Sequence, residues 1–100
     1  MINFNNKNVL ITGATGGIGS ELVKKFIILG ANVLATGTKA EKLDIIKKQY
    51  PNIKVKRFDI SEHLRIEEFI DNVVLELGGL DILINNAGTN MDNLSLRMKD

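Results

Sequence analysis

Leu10-Ile11-Thr12-Gly13-Ala14-Thr15-Gly16-Gly17-Ile18-Gly19 is the stretch on which the reading of this 100-residue chain turns. An apolar, β-branched run, Val9-Leu10-Ile11, enters a cluster of glycines, and a helical pattern leaves it. This is the strand–turn–helix of a dinucleotide-binding βαβ unit, with Gly13, Gly17 and Gly19 at the turn. The chemistry asks for glycine because backbone N–H groups must approach a pyrophosphate closely, and a Cβ would obstruct them. A branched side chain at Gly19 is therefore expected to occupy the path of the pyrophosphate. The helix that follows directs its partial positive charge at the phosphates. No Lys-Ser or Lys-Thr follows the glycines, which excludes a phosphate-binding loop of the Walker type.

Outward from the turn, apolar residues recur as Ile18, Leu22, Phe26 and Leu29, one face of a helix that Gly30 closes. Asn32 to Thr36 reads as a second strand. Thr38-Lys39-Ala40-Glu41 has the form of a capping box, opening a helix with Leu43, Ile46 and Tyr50 on one face and Pro51 at its end. A third strand is expected from Lys54 to Phe58. Ser61 then has the chemistry of an N-cap for a helix whose buried face carries Ile66, Phe69, Ile70, Val73, Val74 and Leu77. Gly78-Gly79 stops that helix. A fourth strand, Leu80 to Asn85, enters the turn Asn86-Ala87-Gly88, and Thr89 to Asp100 reads as a loop leading into a helix. The order β-α-β-α-β-α-β implies an α/β fold with a Rossmann-like parallel sheet and helices on both faces. With nothing beside it, the fourth strand would be an apolar sheet edge and a site of self-association.

The composition is that of an ordinary globular protein, with 44% hydrophobic and 25% charged residues. A formal net charge of +1, with Lys and Arg spread along the chain, does not indicate nucleic acid or an anionic membrane as partner. The absence of cysteine excludes disulfides and thiol chemistry and fits a reducing compartment. The first seven residues lack the apolar stretch of a signal peptide, and no apolar run approaches the roughly 20 residues of a membrane span. A cytoplasmic location is the expectation. No His, Cys or carboxylate cluster suggests a metal site.

The glycine motif and the fourth-strand motif together resemble the short-chain dehydrogenase/reductase family. Thr12 to Gly19 matches the family's Thr-Gly-x-x-x-Gly-x-Gly, Asn85 to Gly88 matches its Asn-Asn-Ala-Gly, and Asp59 matches the acidic or amide residue that ends its third strand. Gly13, Gly16 and Gly19 also fit the Gly-x-x-Gly-x-x-Gly spacing of the larger epimerase-like branch; the Asn-Asn-Ala-Gly turn decides for the short-chain branch. Met91 to Leu94 and Arg97 to Asp100 are similar to the segment after this turn in bacterial beta-ketoacyl reductases that act on acyl carrier protein.

The resemblance implies roles. The backbone of Gly13, Ala14, Thr15, Gly16, Gly17, Ile18 and Gly19, with the Thr15 hydroxyl, would bind the pyrophosphate and adenosine ribose. Asp59 and the Ile60 backbone would flank the adenine, and Asn86, Ala87 and Gly88 would lie along the ribose on the nicotinamide side. Thr12 would tie the first turn to the fourth strand; Thr12 and Asn85 admit either strand-end hydrogen bonding or ligand contact. The resemblance further implies an acyl-carrier-protein-linked beta-ketoacyl substrate and a homo-oligomer, tetrameric in the family.

The choice of nicotinamide cofactor follows from charge. NAD enzymes place a carboxylate roughly 20 residues past the glycines to bind the ribose diol. Here that region is Gly37-Thr38-Lys39. No carboxylate would repel a 2′-phosphate, and the Thr38 hydroxyl and Lys39 ammonium could receive it, so NADP (NADPH) is favoured over NAD. Many NADP members have Arg where this chain has Gly16, a departure from the pattern.

The family's catalytic Ser and Tyr-x-x-x-Lys, which protonate the substrate carbonyl, find no counterpart in the stretch. Tyr50-Pro51-Asn52-Ile53-Lys54 has the spacing, but Pro51 interrupts the continuous helix on which residues four apart converge. His63, the single histidine, and the pairs Lys24-Lys25 and Lys47-Lys48 read as solvated positions. The expectation is the incomplete, cofactor-binding half of a doubly wound reductase spanning residues 1–100, inactive by itself. The alternative is a free-standing, non-catalytic dinucleotide-binding or interaction module.

Overall fold

Apolar runs rich in β-branched residues form three parallel strands here, and a fourth, mostly cationic strand joins them at the edge of the sheet. The computed structural model describes residues 3–59, 63–86 and 95–98. The elements are β1 (Asn8–Ile11), α1 (Gly17–Ile28), β2 (Asn32–Gly37), α2 (Ala40–Gln49), β3 (Lys54–Arg57), a short 3-10 turn (His63–Arg65), α3 (Ile66–Leu77), β4 (Ile82–Asn85) and β5 (Ser95–Met98). The sheet order is β3-β2-β1-β4-β5. Leu10 stands between Leu34 of β2 and Leu83 of β4, and Ile11 between Ala35 and Ile84. The fold is Rossmann-like α/β.

Alternation along the strands divides the core into two layers. Val9, Ile11, Val33, Ala35, Ile82 and Ile84 pack with Val23 of α1 and Ile46 of α2. Leu10 and Leu34 on the opposite face pack with Phe69 and Val73 of α3. Phe58, just past β3, stacks on Phe69 at 4.1 Å between ring centroids. β1 is buried on both faces, as a central parallel strand requires. The chain fills β1, β2 and β3 in one direction and then crosses back to place β4 on the other side of β1. The strand order thus reverses at β1, and the crevice outside the carboxyl ends of β1 and β4 is the place where ligands bind open α/β sheets.

Local chemistry departs from expectation at several ends. Residues 95–98 form β5, antiparallel to β4, with Ile84 opposite Leu96 and Asn85 opposite Ser95. A loop leading into a helix was expected across Thr89 to Asp100. The alternation Ser-Leu-Arg-Met has the period of a strand, and pairing satisfies backbone groups that β4 would otherwise leave open. The exposed β4 edge inferred from the sequence is therefore covered. The capping box at Thr38 does not form: Lys39 is the N-cap of α2, in extended backbone and without a side-chain cap bond. α3 begins only at Ile66, after the 3-10 turn, with Arg65 at its cap; Ser61, the expected cap, lies outside the described residues. β4 begins two residues later than expected because Asp81 is engaged at the foot of β1, where its carboxylate accepts the Asn8 N–H at 2.8 Å.

On α1 the fully buried apolar side chain is Val23, flanked by Leu22, Phe26 and Ile27, while Ile18 is 39% exposed. The expected face is thus rotated toward Gly19 and Val23. Lys47 is solvated along its length, but its ammonium also donates to the carbonyls of Pro51 and Ile53 and closes the turn between α2 and β3.

Candidate dinucleotide site

The glycine turn begins where β1 ends. Gly13 has φ of 62°, the left-handed region in which a side chain is strained. Its carbonyl accepts from the Gly16 N–H at 3.3 Å and from the Asn86 amide nitrogen Nδ2 at 3.3 Å. Ala14 is fully buried, and its N–H donates to the Thr36 carbonyl at 3.0 Å. Thr15 lies against Gly37: a Cβ built on Gly37 would meet the Thr15 Cγ2 at 3.2 Å. The turn is thereby fastened to the ends of β2 and β4.

Thr12 is the main fastener to β4. It is 2% exposed. Its N–H donates to the Ile84 carbonyl at 3.0 Å, its hydroxyl to Asn85 Oδ1 at 2.9 Å, and the hydroxyl oxygen accepts the Asn86 N–H at 2.9 Å. Thr12 and Asn85 therefore act on each other at the strand ends. Thr12→Val keeps the shape and deletes the hydroxyl, leaving the Asn86 N–H and Asn85 Oδ1 without it. An unfolding midpoint corresponding to a loss of about 0.5–1.5 kcal/mol is expected in urea titration, the net worth of a hydrogen bond to half-buried partners; an unchanged midpoint would remove Thr12 from this role.

The glycines divide the labour. A Cβ on Gly19 would sit 2.0 Å from the Gly13 carbonyl oxygen and 2.8 Å from the Ala14 Cα. Gly19 thus permits helix α1 to close on the turn. The clash is with the turn's own backbone, a packing demand for glycine that stands beside the pyrophosphate argument. Gly17 is the opposite case: a Cβ there meets nothing within 4 Å. Gly16, Gly17 and Ile18 are exposed at the start of α1, and the helix has neither a side-chain cap nor an acidic residue in its first turn. An anion can therefore reach its first amides, with open space at Gly17 in which to lie. On these grounds the chain's residues fit a pyrophosphate.

Thr38 and Lys39 are exposed beyond β2, next to Gly37 and hence on the Thr15 side of the turn. Asp59, half-buried past the end of β3, lines a hollow of about 230 Å³ with Arg57, Phe58, Arg65, Glu68, Phe69 and Asn72. Ile60, Ala87 and Gly88 lie outside the described residues. Tyr50 is the C-cap of α2 and packs at the margin of the core, whereas Lys54 opens β3, so no helix joins them. Among the described residues, no group of three His, Asp or Glu side chains could hold a metal, and no helix is long and apolar enough to cross a membrane.

Sequence reasoning passed over Arg57. Its Nε donates to the Thr38 carbonyl at 2.9 Å, which brings a guanidinium to the end of β2. Only the pairing of β2 with β3, in which Gly37 stands opposite Arg57, brings it there, and spacing along the chain carries no signal of that register.

The sequence model of the short chain dehydrogenase family matches residues 7–100. The chain belongs to this family. It is 36% identical over 100 residues to a 3-oxoacyl-[acyl-carrier-protein] reductase of Salmonella typhimurium, covering 99% of this chain and 41% of that protein. It is 38% identical over 81 residues to an NADP-dependent 3-hydroxy acid dehydrogenase of Escherichia coli, covering 80% of this chain and 33% of that one. A short chain dehydrogenase of Mycobacterium smegmatis superposes with a TM-score of 0.80 at 27% identity, over 89% of this chain and 40% of the other. The chain thus spans about 41% of the length of the reductase it matches.

Proposed function

We propose that residues 1–100 of this short chain dehydrogenase form the NADP(H)-binding part of a 3-oxoacyl-[acyl-carrier-protein] reductase of fatty acid biosynthesis, working in the cytoplasm as a homo-oligomer. The observation that carries the binding reading is the joining of two strand ends. Asn86, just past β4, is bonded to Thr12 and to the Gly13 carbonyl of the glycine turn after β1, at the crevice where the strand order reverses. The substrate reading rests on likeness to the Salmonella reductase, and the likeness to the 3-hydroxy acid dehydrogenase supports oxidoreduction at a carbon of the same kind.

In this reading the first amides of α1, at Gly17, Ile18 and Gly19, bind the pyrophosphate, and the backbone of Gly13, Ala14 and Gly16 shapes the turn that brings it to them. The Thr15 hydroxyl holds the adenosine ribose. Thr38 receives the 2′-phosphate, with Lys39 beside it. Asp59 and Ile60 flank the adenine, and Asn86, Ala87 and Gly88 follow the ribose nearer the nicotinamide. The bound cofactor supplies hydride to a carbonyl. The 100 residues supply binding and orientation and no proton donor, and acid–base catalysis contributes about 10²–10⁴-fold to such reactions.

Calorimetric titration with NADP⁺ and NAD⁺, followed by an NADPH-oxidation assay with an acetoacetyl thioester, tests both halves. Tighter binding of NADP⁺ and no turnover by the 100-residue polypeptide are expected. Joined to a matching second half, the polypeptide should turn over. A preference for NAD⁺ would overturn the cofactor, and turnover by the 100 residues alone would overturn the division of labour. Binding with no turnover even after completion would favour a non-catalytic module.

A further inference from the structure

We propose that Arg57 reads the 2′-phosphate of NADP(H) and is the side chain by which this protein separates NADP from NAD. The inference rests on the dinucleotide reading above and assigns its specificity to a residue on β3, outside the glycine and β2 motifs.

Three observations place the guanidinium there. Arg57 is the last residue of β3 and stands in register with Gly37, the last residue of β2. Its Nε donates to the Thr38 carbonyl at 2.9 Å, so the side chain lies across the start of the β2–α2 connection. Gly37 in turn carries the Thr15 side chain against its backbone, and Thr15 belongs to the glycine turn. The chain of contacts runs from the pyrophosphate end of the site through Thr15 and Gly37 to Arg57.

The geometry leaves the chemistry available. Arg57 is exposed, and its one recorded polar partner among the described residues is the Thr38 carbonyl, taken by Nε. Its terminal nitrogens make no recorded hydrogen bond among the described residues. That end is planar and always charged, and it matches the oxygens of a phosphate in a paired fashion that an ammonium cannot. Lys39, exposed at the cap of α2, adds a second cation. The opposing charges are Glu41 in the first turn of α2 and the carboxylates of Asp59 and Glu68, which line one hollow with Arg57 and Arg65. A ribose diol offers no anion to this pair of cations, so NAD gains nothing from them.

A purely structural role makes a different forecast. If Arg57 served only to steady the Thr38 carbonyl, its loss would loosen the adenosine end for both nucleotides alike. Arg57→Gln keeps an N–H donor and removes the charge; Arg57→Lys keeps the charge and removes the fork. Calorimetric titration of the parent chain and both variants with NADP⁺ and NAD⁺ separates the cases. For Arg57→Gln the NADP⁺ dissociation constant should rise about tenfold to a hundredfold, the range of a charge-assisted hydrogen bond. The NAD⁺ constant should move less than about twofold, and Arg57→Lys should fall between. Unchanged NADP⁺ binding in Arg57→Gln, or an equal loss for both nucleotides, overturns the assignment while leaving the dinucleotide reading intact. A parent chain that binds neither nucleotide, or that prefers NAD⁺, overturns that reading and the assignment with it. The failure then appears in the parent titration and not in the variants.

Discussion

Gly19→Ala should unfold the protein at markedly lower urea than the parent, even though a single methyl is added. The built Cβ lies 2.0 Å from the Gly13 carbonyl oxygen and 2.8 Å from the Gly13 carbonyl carbon. Both obstacles are backbone, so no rotamer change relieves them. Overpacking typically costs about 1–3 kcal/mol and more where nothing can yield. The upper end, about 3 kcal/mol, is expected here, because Gly13 is itself held by Gly16 and Asn86 and cannot swing aside. Domains of this size have only about 5–15 kcal/mol of net stability. Chemical denaturation followed by circular dichroism is the measurement. A midpoint within experimental error of the parent would show that helix α1 does not close on the turn as described.

Gly17→Val should give the reverse pattern, with intact folding and lost binding. Gly17 is exposed, its added Cβ meets nothing within 4 Å, and it is the first residue of α1. The fold has room for the side chain. A pyrophosphate drawn to the same amides does not, since the isopropyl group would stand over them. A loss of at least about 100-fold in NADP⁺ affinity is expected, with an unfolding midpoint close to that of the parent. Retained affinity would mean that the ligand approaches the turn from another side. Taken together, the two glycines separate a residue that builds the site from one that leaves space in it.

The sequence makes that site legible in outline and not in its mechanics. Val9 to Ile11 and Asn32 to Thr36 are recognisable as strands because they are β-branched and apolar, and a buried parallel strand needs little else. The stops at Gly30 and Gly78 are equally readable, since both take left-handed backbone, with φ of 92° and 80°. Thr12 as a tie to the fourth strand was also open to inference, and its bonds to Asn85 and Asn86 are of that kind. Helix starts are harder. Thr38 has cap chemistry, yet the extended residue before α2 is Lys39, so the geometry of the preceding strand end overrides local preference. β5 is four residues long, and so short an alternation becomes decisive when β4 supplies its partner. Arg57 is invisible for another reason: its relation to Thr38 spans two elements and depends on register, which spacing along the chain does not encode.

The outermost position of β3 has a consequence for how molecules of this protein meet one another. An edge strand offers its free N–H and C=O groups to any passing strand. This one reads Lys54-Val55-Lys56-Arg57, so three of its four residues are cationic. Two copies approaching edge to edge would bring these cations together, although Lys56 is partly neutralised by Glu76 at 3.1 Å. The repulsion acts before any hydrogen bond can form and weakens within a screening length of about 10 Å at 0.1 M salt. The basic outer strand thus guards the sheet against indefinite extension, and it guards it best in dilute salt.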